Sequence, residues 1–347
     1  MTDEALASAI RSRMRAALPD PAAVRVDGST AGAEVARFNT LLHDYPSRTG
    51  KMLRGRLVMH STEAHGGGAL QAALTAAAAL ELFQAWVLVH DDIEDGSQTR
   101  RGKPALHHLV GMPVALNVGD ALHVYMWRLL HGLLDDPDVD AKALLDEFGT
   151  MISLTAEGQH LDLSFVEEGR FDIGEEAYLA MVTLKTAHYT VASPLRLGAL
   201  LAGTRPDPAL STAGIDLGVA FQIRDDVLNL KPGSGPTTTY GKETAGDLYE
   251  GKRTLIIAHL LASASAADCA EVTSLLSGPR SQRTPESVAR LLELIDRYGS
   301  LRHAQAVADA KAAAGLDTLR ELAASLPGRE AAGRLVSLLE VVADRLS

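Results

Sequence analysis

Apolar residues recur along this chain at intervals of three and four, the spacing that lines one face of an α-helix, and period-two alternation is almost absent. A first amphipathic stretch covers 3–18 and ends at Pro19, and a loop through Pro21 and Gly28 follows. A second, 33–43, is broken by Tyr45-Pro46-Ser47. The basic segment 50–64 enters a third, which Gly66-Gly67-Gly68 stops. Residues 69–95 then predict about seven turns of buried helix. Beyond a polar loop at 96–104, helices are expected at 113–134, 140–168, 175–202 and 208–230. The Gly-, Pro- and Thr-rich stretch 231–241 reads as a mobile loop. Helices resume at 252–262 and fill the last third, with breaks near Gly278-Pro279, Gly299 and Gly328. No repeat and no linker interrupts the series, so the pattern predicts one large all-helical (all-α) domain over 1–347.

Composition sharpens this. Hydrophobic residues make up 46% of the chain and aromatics 4%, the apolar share being mostly Ala and Leu, which suits packed helices. The formal net charge of −11 argues against nucleic acid as a partner, since that needs a basic face. It leaves room for a polyanionic substrate if cations stand between. The lone cysteine, Cys269, excludes an internal disulfide. The longest apolar run, 69–89, is interrupted by Gln71, Glu81 and Gln84 and is weak for a membrane span. With an acidic N-terminus lacking a signal-peptide pattern, a cytoplasmic protein without a membrane span is expected.

Two acidic motifs carry the candidate chemistry. In Asp91-Asp92-Ile93-Glu94-Asp95 the first and last carboxylates lie one turn apart on one helix face, where like charges repel unless divalent cations separate them. The preceding Trp86-Val87-Leu88-Val89 is apolar, so the carboxylates end a buried helix. Taken alone, such a motif is more often an inert surface turn. Asp225-Asp226-Val227-Leu228-Asn229 repeats the spacing after another apolar run, with Asn229 making it the weaker ligand set. Two such helix ends can face one another across a cavity and hold a diphosphate through Mg²⁺, which favours carboxylate and phosphate oxygens. Basic groups complete the set: Lys51 and Arg54, expected on one helical turn, then Arg100-Arg101, Lys185-Thr186, Lys242 and Lys252-Arg253. Any one of these pairs reads most simply as a solvated face; their combination does not. No Gly-x-Ser-x-Gly elbow, His-Glu-x-x-His or P-loop is present, and His65-Gly66-Gly67-Gly68 reads as a helix stop.

These motifs in this order resemble the trans-prenyl diphosphate synthases, or polyprenyl synthetases, from about Arg48 to about Arg253. The most specific stretches are Val89 to Pro104 and Phe221 to Asp226. The resemblance implies a helical bundle around a deep central cavity (the isoprenoid synthase type) and a homodimer. It implies isopentenyl diphosphate joined head-to-tail to an allylic diphosphate in the trans configuration, with release of diphosphate. Asp91, Asp95 and Asp225 would bind Mg²⁺, three ions in all, with Asp92 and Asp226 in support. Isopentenyl diphosphate would meet Lys51, Arg54, Gln84 and Arg101, and the allylic diphosphate Arg100, Lys185, Thr186, Gln222, Lys242 and Lys252. Gln159 and Asp162 also match the pattern as supporting residues. Asp91, Asp92, Asp95, Arg100, Lys185 and Asp225 would be the catalytic set. Asn229 departs from it by replacing the last aspartate. Trp86, about 7.5 Å along the axis before Asp91, and Phe83 a turn below are expected either to pack the core or to floor the cavity. A floor there implies a C20, geranylgeranyl-type product, with C15 as the alternative. A terpene cyclase would give Lys51, Arg54 and Arg101 no second diphosphate to hold. A non-catalytic helical subunit would give the acidic motifs no purpose.

Overall fold

The computed structural model describes residues 2–24, 26, 28, 30–48, 50–230 and 243–344. In chain order the helices are α1 (Asp3–Ala17), α2 (Thr30–Leu42), α3 (Asp44–Ser47), α4 (Leu53–Ala64), α5 (Leu70–Glu94), α6 (Leu106–Val110), α7 (Met112–His131), α8 (Ala141–Glu167) and α9 (Glu175–Val182). A π-helical stretch, Thr183–Ala192, leads into α10 (Ser193–Leu201) and α11 (Pro208–Leu230). The rest is α12 (Gly246–Glu250), α13 (Leu255–Ser263), α14 (Ala266–Leu276), α15 (Pro285–Arg297), α16 (Ser300–Ala323) and α17 (Arg329–Ala343). Helices start where the side chains dictate: Asp140 accepts from the Ala143 N–H at 3.0 Å, and Thr284 and Ser287 form a reciprocal cap.

Helix α5 is the spine. It buries Ala72, Ala73, Ala76, Ala77, Ala78 and Ala79 against α4, α7 and α1, small residues that let backbones approach closely. Gly55 of α4 meets it without a side chain; a Cβ there would lie 3.4 Å from that of Ala77. Among the described residues α5 is the one helix long and apolar enough to cross a bilayer, and 72% of its most apolar window is buried inside the fold. Opposite, α11 packs on α16 and on the π-helical stretch.

The sequence pattern reads 175–202 as one α-helix, but its middle is π-helical. Glycines press on it from both sides. A Cβ on Gly158 of α8 would stand 2.1 Å from the Lys185 nitrogen, and one on Gly218 of α11 would stand 2.5 Å from the Ala187 Cα. Three further boundaries differ from expectation. The basic segment turns at Met52, φ 48°, before α4 begins, so Lys51 and Arg54 do not share a helical turn. The polar loop folds into a two-residue antiparallel pair, β1 (Thr99–Arg100) with β2 (Lys103–Pro104). Lys252 and Arg253 precede α13, just beyond a left-handed Gly251 at φ 72°.

Candidate active site

A cavity of about 610 Å³ lies between α5, the π-helical stretch and α11. From α5 it receives Gln84, Val87, Leu88 and Asp91, the i, i+3, i+4, i+7 stripe of one helix face. From the facing elements come Lys185, Thr186 and Tyr189, then Phe221, Gln222, Asp225 and Leu228. The two acidic motifs therefore stand on opposing walls.

The paired aspartates in each motif divide their work. Asp91 lines the cavity, whereas Asp92 is fully buried and accepts from the Tyr45 hydroxyl and, at 2.8 Å, from Arg100 Nε. Arg100 Nη2 also reaches Asp91 at 3.0 Å. On the second wall Asp225 lines the cavity, while Asp226 turns inward to accept from the Tyr178 hydroxyl at 2.7 Å and from Gln222 at 2.8 Å. Thr186 donates to Gln222 at 3.0 Å and fixes its orientation. Asn229 is buried, and its side-chain oxygen accepts from the Asp247 N–H at 3.1 Å.

Two ammonium groups neutralise the carboxylates. Lys185 lies 2.5 Å from Asp162 and 3.3 Å from Asp91. Lys252 lies 2.5 Å from Asp95 and 3.4 Å from Glu250. A separate basic group enters from the loop side: Lys51, Arg54 and Arg101 all line the cavity, beside Arg100. Arg54 donates to Thr190 Oγ1 at 2.9 Å, and its guanidinium lies 4.4 Å over the Tyr189 ring. Arg101 sits in the left-handed region at φ 52° and is anchored by a 3.0 Å bond to the Arg48 carbonyl.

The family model described as Polyprenyl synthetase matches residues 35–295. The chain belongs to the polyprenyl synthetase family. It is 37% identical over 264 residues to a short chain isoprenyl diphosphate synthase of Methanothermobacter thermautotrophicus, covering 75% of this chain and 76% of that one. It is 33% identical over 285 residues to a geranylgeranyl diphosphate synthase of Sulfolobus acidocaldarius, covering 81% and 83%. The crystal structure of a geranylgeranyl pyrophosphate synthase from Corynebacterium glutamicum, complexed with isoprenyl diphosphate and magnesium, superposes with a TM-score of 0.87 at 28% identity over 99% of this chain and 100% of that one.

In this polyprenyl synthetase the fit to a divalent cation is testable on the donor set. Among the described residues no three His, Cys, Asp or Glu side chains converge as a self-sufficient metal cluster. Mg²⁺ does not require one, since it takes one or two carboxylates and completes its shell with water and substrate phosphates. Asp91 and Asp225 on opposed walls, with Asp95 beside Lys252, fit that pattern. Burial pushes the Asp95 carboxyl up to about 8, against the pull of Lys252 and with help from Asp91 and Glu250. Burial, then Asp247, pushes Asp226 up to about 7. Burial also acts on Asp162, but Lys185 and Lys252 outweigh it and hold that carboxyl below the usual range. Desolvation opposes the charge on Lys185, yet Asp162 and Asp91 hold its ammonium firmly protonated.

Several of the expected site residues lie away from the main cavity. Asp92 does not line the cavity; it secures Tyr45 and Arg100 from behind. Asp95 opens on an adjoining cavity of about 570 Å³ with Glu250 and Lys252. Neither Trp86 nor Phe83 lines the main cavity: Trp86 stacks on His123 of α7 with centroids 3.9 Å apart, and Phe83 is fully buried. Gln159, read as supporting, donates to Glu94 at 2.6 Å. Lys242 and the loop 231–241 lie outside the described residues. Sequence reasoning missed Tyr45, Tyr178, Asp247 and Glu250. Asp247 and Glu250 sit within five positions of Lys252, a charge cluster that could have flagged them. Nothing local marks the tyrosines, whose partners are 47 and 48 positions away.

Proposed function

We propose that this chain condenses isopentenyl diphosphate with an allylic diphosphate, head-to-tail and trans, in a Mg²⁺-dependent reaction whose main product is geranylgeranyl diphosphate. One observation carries the reading. A single cavity is lined by opposed carboxylates, Asp91 and Asp225, and also by the separate basic group Lys51, Arg54 and Arg101. Two diphosphates of different character are thereby accommodated, one through metal and one through guanidinium and ammonium alone. A cyclase, with one substrate, would leave the second group idle. The product assignment is supported by the Sulfolobus relative, itself a geranylgeranyl diphosphate synthase.

Asp91, Asp95 and Asp225 would hold Mg²⁺, which when bound would neutralise charge on the departing diphosphate. Lys185 and Lys252 are released from the carboxylates they now pair with and turn to the allylic diphosphate, joined by Arg100, Thr186 and Gln222. Once so placed by substrate binding, they meet the leaving group where charge develops, so their rearrangement precedes bond breaking. Lys51, Arg54, Arg101 and Gln84 orient isopentenyl diphosphate so that its double bond faces the allylic carbon. Val87, Leu88, Tyr189, Phe221 and Leu228 exclude water from the allylic cation. The chain works as one helical domain and as a homodimer.

Radiolabelled isopentenyl diphosphate offered with each allylic primer, with and without Mg²⁺, tests this. Label moving into a longer chain only with metal is the expected result. No incorporation with any primer defeats the proposal.

A further inference from the structure

Glu81 is a buried carboxylate that the condensation chemistry does not use. It interrupts the apolar run of α5, is 4% exposed and does not line the cavity. A charge in such a place is costly unless its neighbours compensate it, and two sets of neighbours do.

The first is the start of α4. That helix follows Met52, whose side chain makes no cap bond, so its leading N–H groups lack an oxygen from their own segment. Glu81 supplies one from the facing helix: its Oε1 accepts from the Gly55 N–H at 2.9 Å, with the Arg54 N–H alongside. The second set is a pair of guanidiniums. Burial pushes the Glu81 carboxyl up, and Arg54 and then Arg101 are the charges that pull it back. Burial lowers Arg101 in turn, and Glu81 is the neighbour that counters it, while Arg100, Arg54 and Arg48 add to the burial. Arg100 is paired with Asp91 and Asp92, and Arg48 with Asp44. Among the described residues Arg54 and Arg101 form no such direct ion pair. Glu81 thus stands off, anchored on α4, and leaves both guanidinium forks free of carboxylate. A free fork is what takes diphosphate oxygens in pairs.

Building on the prenyl-condensing function proposed above, we infer that Glu81 is the positioning residue of the isopentenyl diphosphate site. It acts through Arg54 and Arg101, tying the start of α4 to α5 and drawing both guanidiniums toward the turn that carries Gln84. Asp91 lies ten positions beyond Glu81, about 15 Å along the axis, so the diphosphate held there should not sense it.

The test is steady-state incorporation of labelled isopentenyl diphosphate by the full chain with Mg²⁺, each substrate varied in turn. Glu81→Gln keeps the size and an acceptor oxygen but removes the charge. It should raise the KM for isopentenyl diphosphate by about 10–100-fold, the scale of a misplaced binding group, and leave that for the allylic primer unchanged. Glu81→Asp, one methylene shorter, should move the same constant by less. Glu147→Gln is the control for lost stability: that carboxylate is also buried but pairs with Ser193 and Arg196, away from the cavity, and its variant should shift neither constant selectively. Charge alone argues the other way, because a neutral residue makes the basic group more positive and would lower the KM. A lower or unchanged KM for isopentenyl diphosphate, or an equal rise for both substrates, overturns the inference. So does a Glu147→Gln variant that reproduces the selective rise. Should Glu81→Gln not fold, Glu81→Asp decides by the same criteria. A wild type that incorporates no label removes the prenyl-condensing function itself, and this inference with it.

Discussion

Asp91 and Asp92 are neighbours in sequence, yet a helix separates adjacent side chains by about 100°, and the two point into different surroundings. Asp91 faces the cavity. Asp92 is sealed behind it with Arg100 and Tyr45. Their substitutions should therefore fail differently. Asp91→Asn, which keeps a polar partner for Arg100 and Lys185, is expected to lose less stability than Asp92→Ala and to lose about 10²–10³-fold in kcat, the scale of removing one preorganised electrostatic contact; steady-state kinetics and a thermal melt check this together. Asp92→Ala strips a buried guanidinium of its closest partner and should cost about 3–5 kcal/mol in denaturant unfolding. Equal stability in the two variants would show that the division of roles is wrong. The same division holds on the other wall, where Asp225 faces the cavity and Asp226 faces Tyr178.

At the scale of elements, the π-helical stretch brings Lys185, Thr186 and Tyr189 onto the cavity. A π-turn widens the helix by one residue per turn and often marks a functional position. It is held in place because α8 and α11 approach with glycines rather than side chains. Gly158→Ala would put a methyl 2.1 Å from the Lys185 backbone nitrogen. Backbone cannot step aside as a flexible side chain can, so the variant should lose about 1–3 kcal/mol. It should also lose activity out of proportion to that loss, because Lys185 moves with its backbone. Thermal unfolding and label incorporation measured on one preparation would show whether both effects appear. Gly149, on the same helix, serves as the control: a Cβ added there would meet nothing within 4 Å, and Gly149→Ala should keep full activity and stabilise the helix by about 0.5–1 kcal/mol.

For the whole molecule, the charge arrangement predicts how metal loading depends on pH. Burial, with Asp91 and Glu250, raises the Asp95 carboxyl against the pull of Lys252, so an entering cation competes with a proton as well as with the Lys252 ammonium. Mg²⁺ and diphosphate binding should release protons at pH 7, and apparent metal affinity should rise as pH climbs toward 8. Calorimetry in buffers of different ionisation heat measures that release; heats independent of buffer would contradict the assigned role of Asp95. Much of this molecule was legible beforehand. Helix period, the spacing of Asp91 to Asp95 and of Asp225 to Asn229, and the basic residues at 51, 54, 100, 101, 185 and 252 are written into the chain itself. These depend on local backbone geometry, which repeats every 3.6 residues whatever the surroundings. The azimuth of each helix does not. On α5 Gln84 and Asp91 mark the cavity face, but the flanks of the helix are apolar throughout, so nothing local told that Trp86 would turn toward α7. The opposition of the two acidic walls, the burial of Asp92 and Asp226, and the capping of α4 by Glu81 all join residues distant in sequence. Packing alone decided them, because close contact between non-adjacent helices is set by which side chains interlock and not by any local signal.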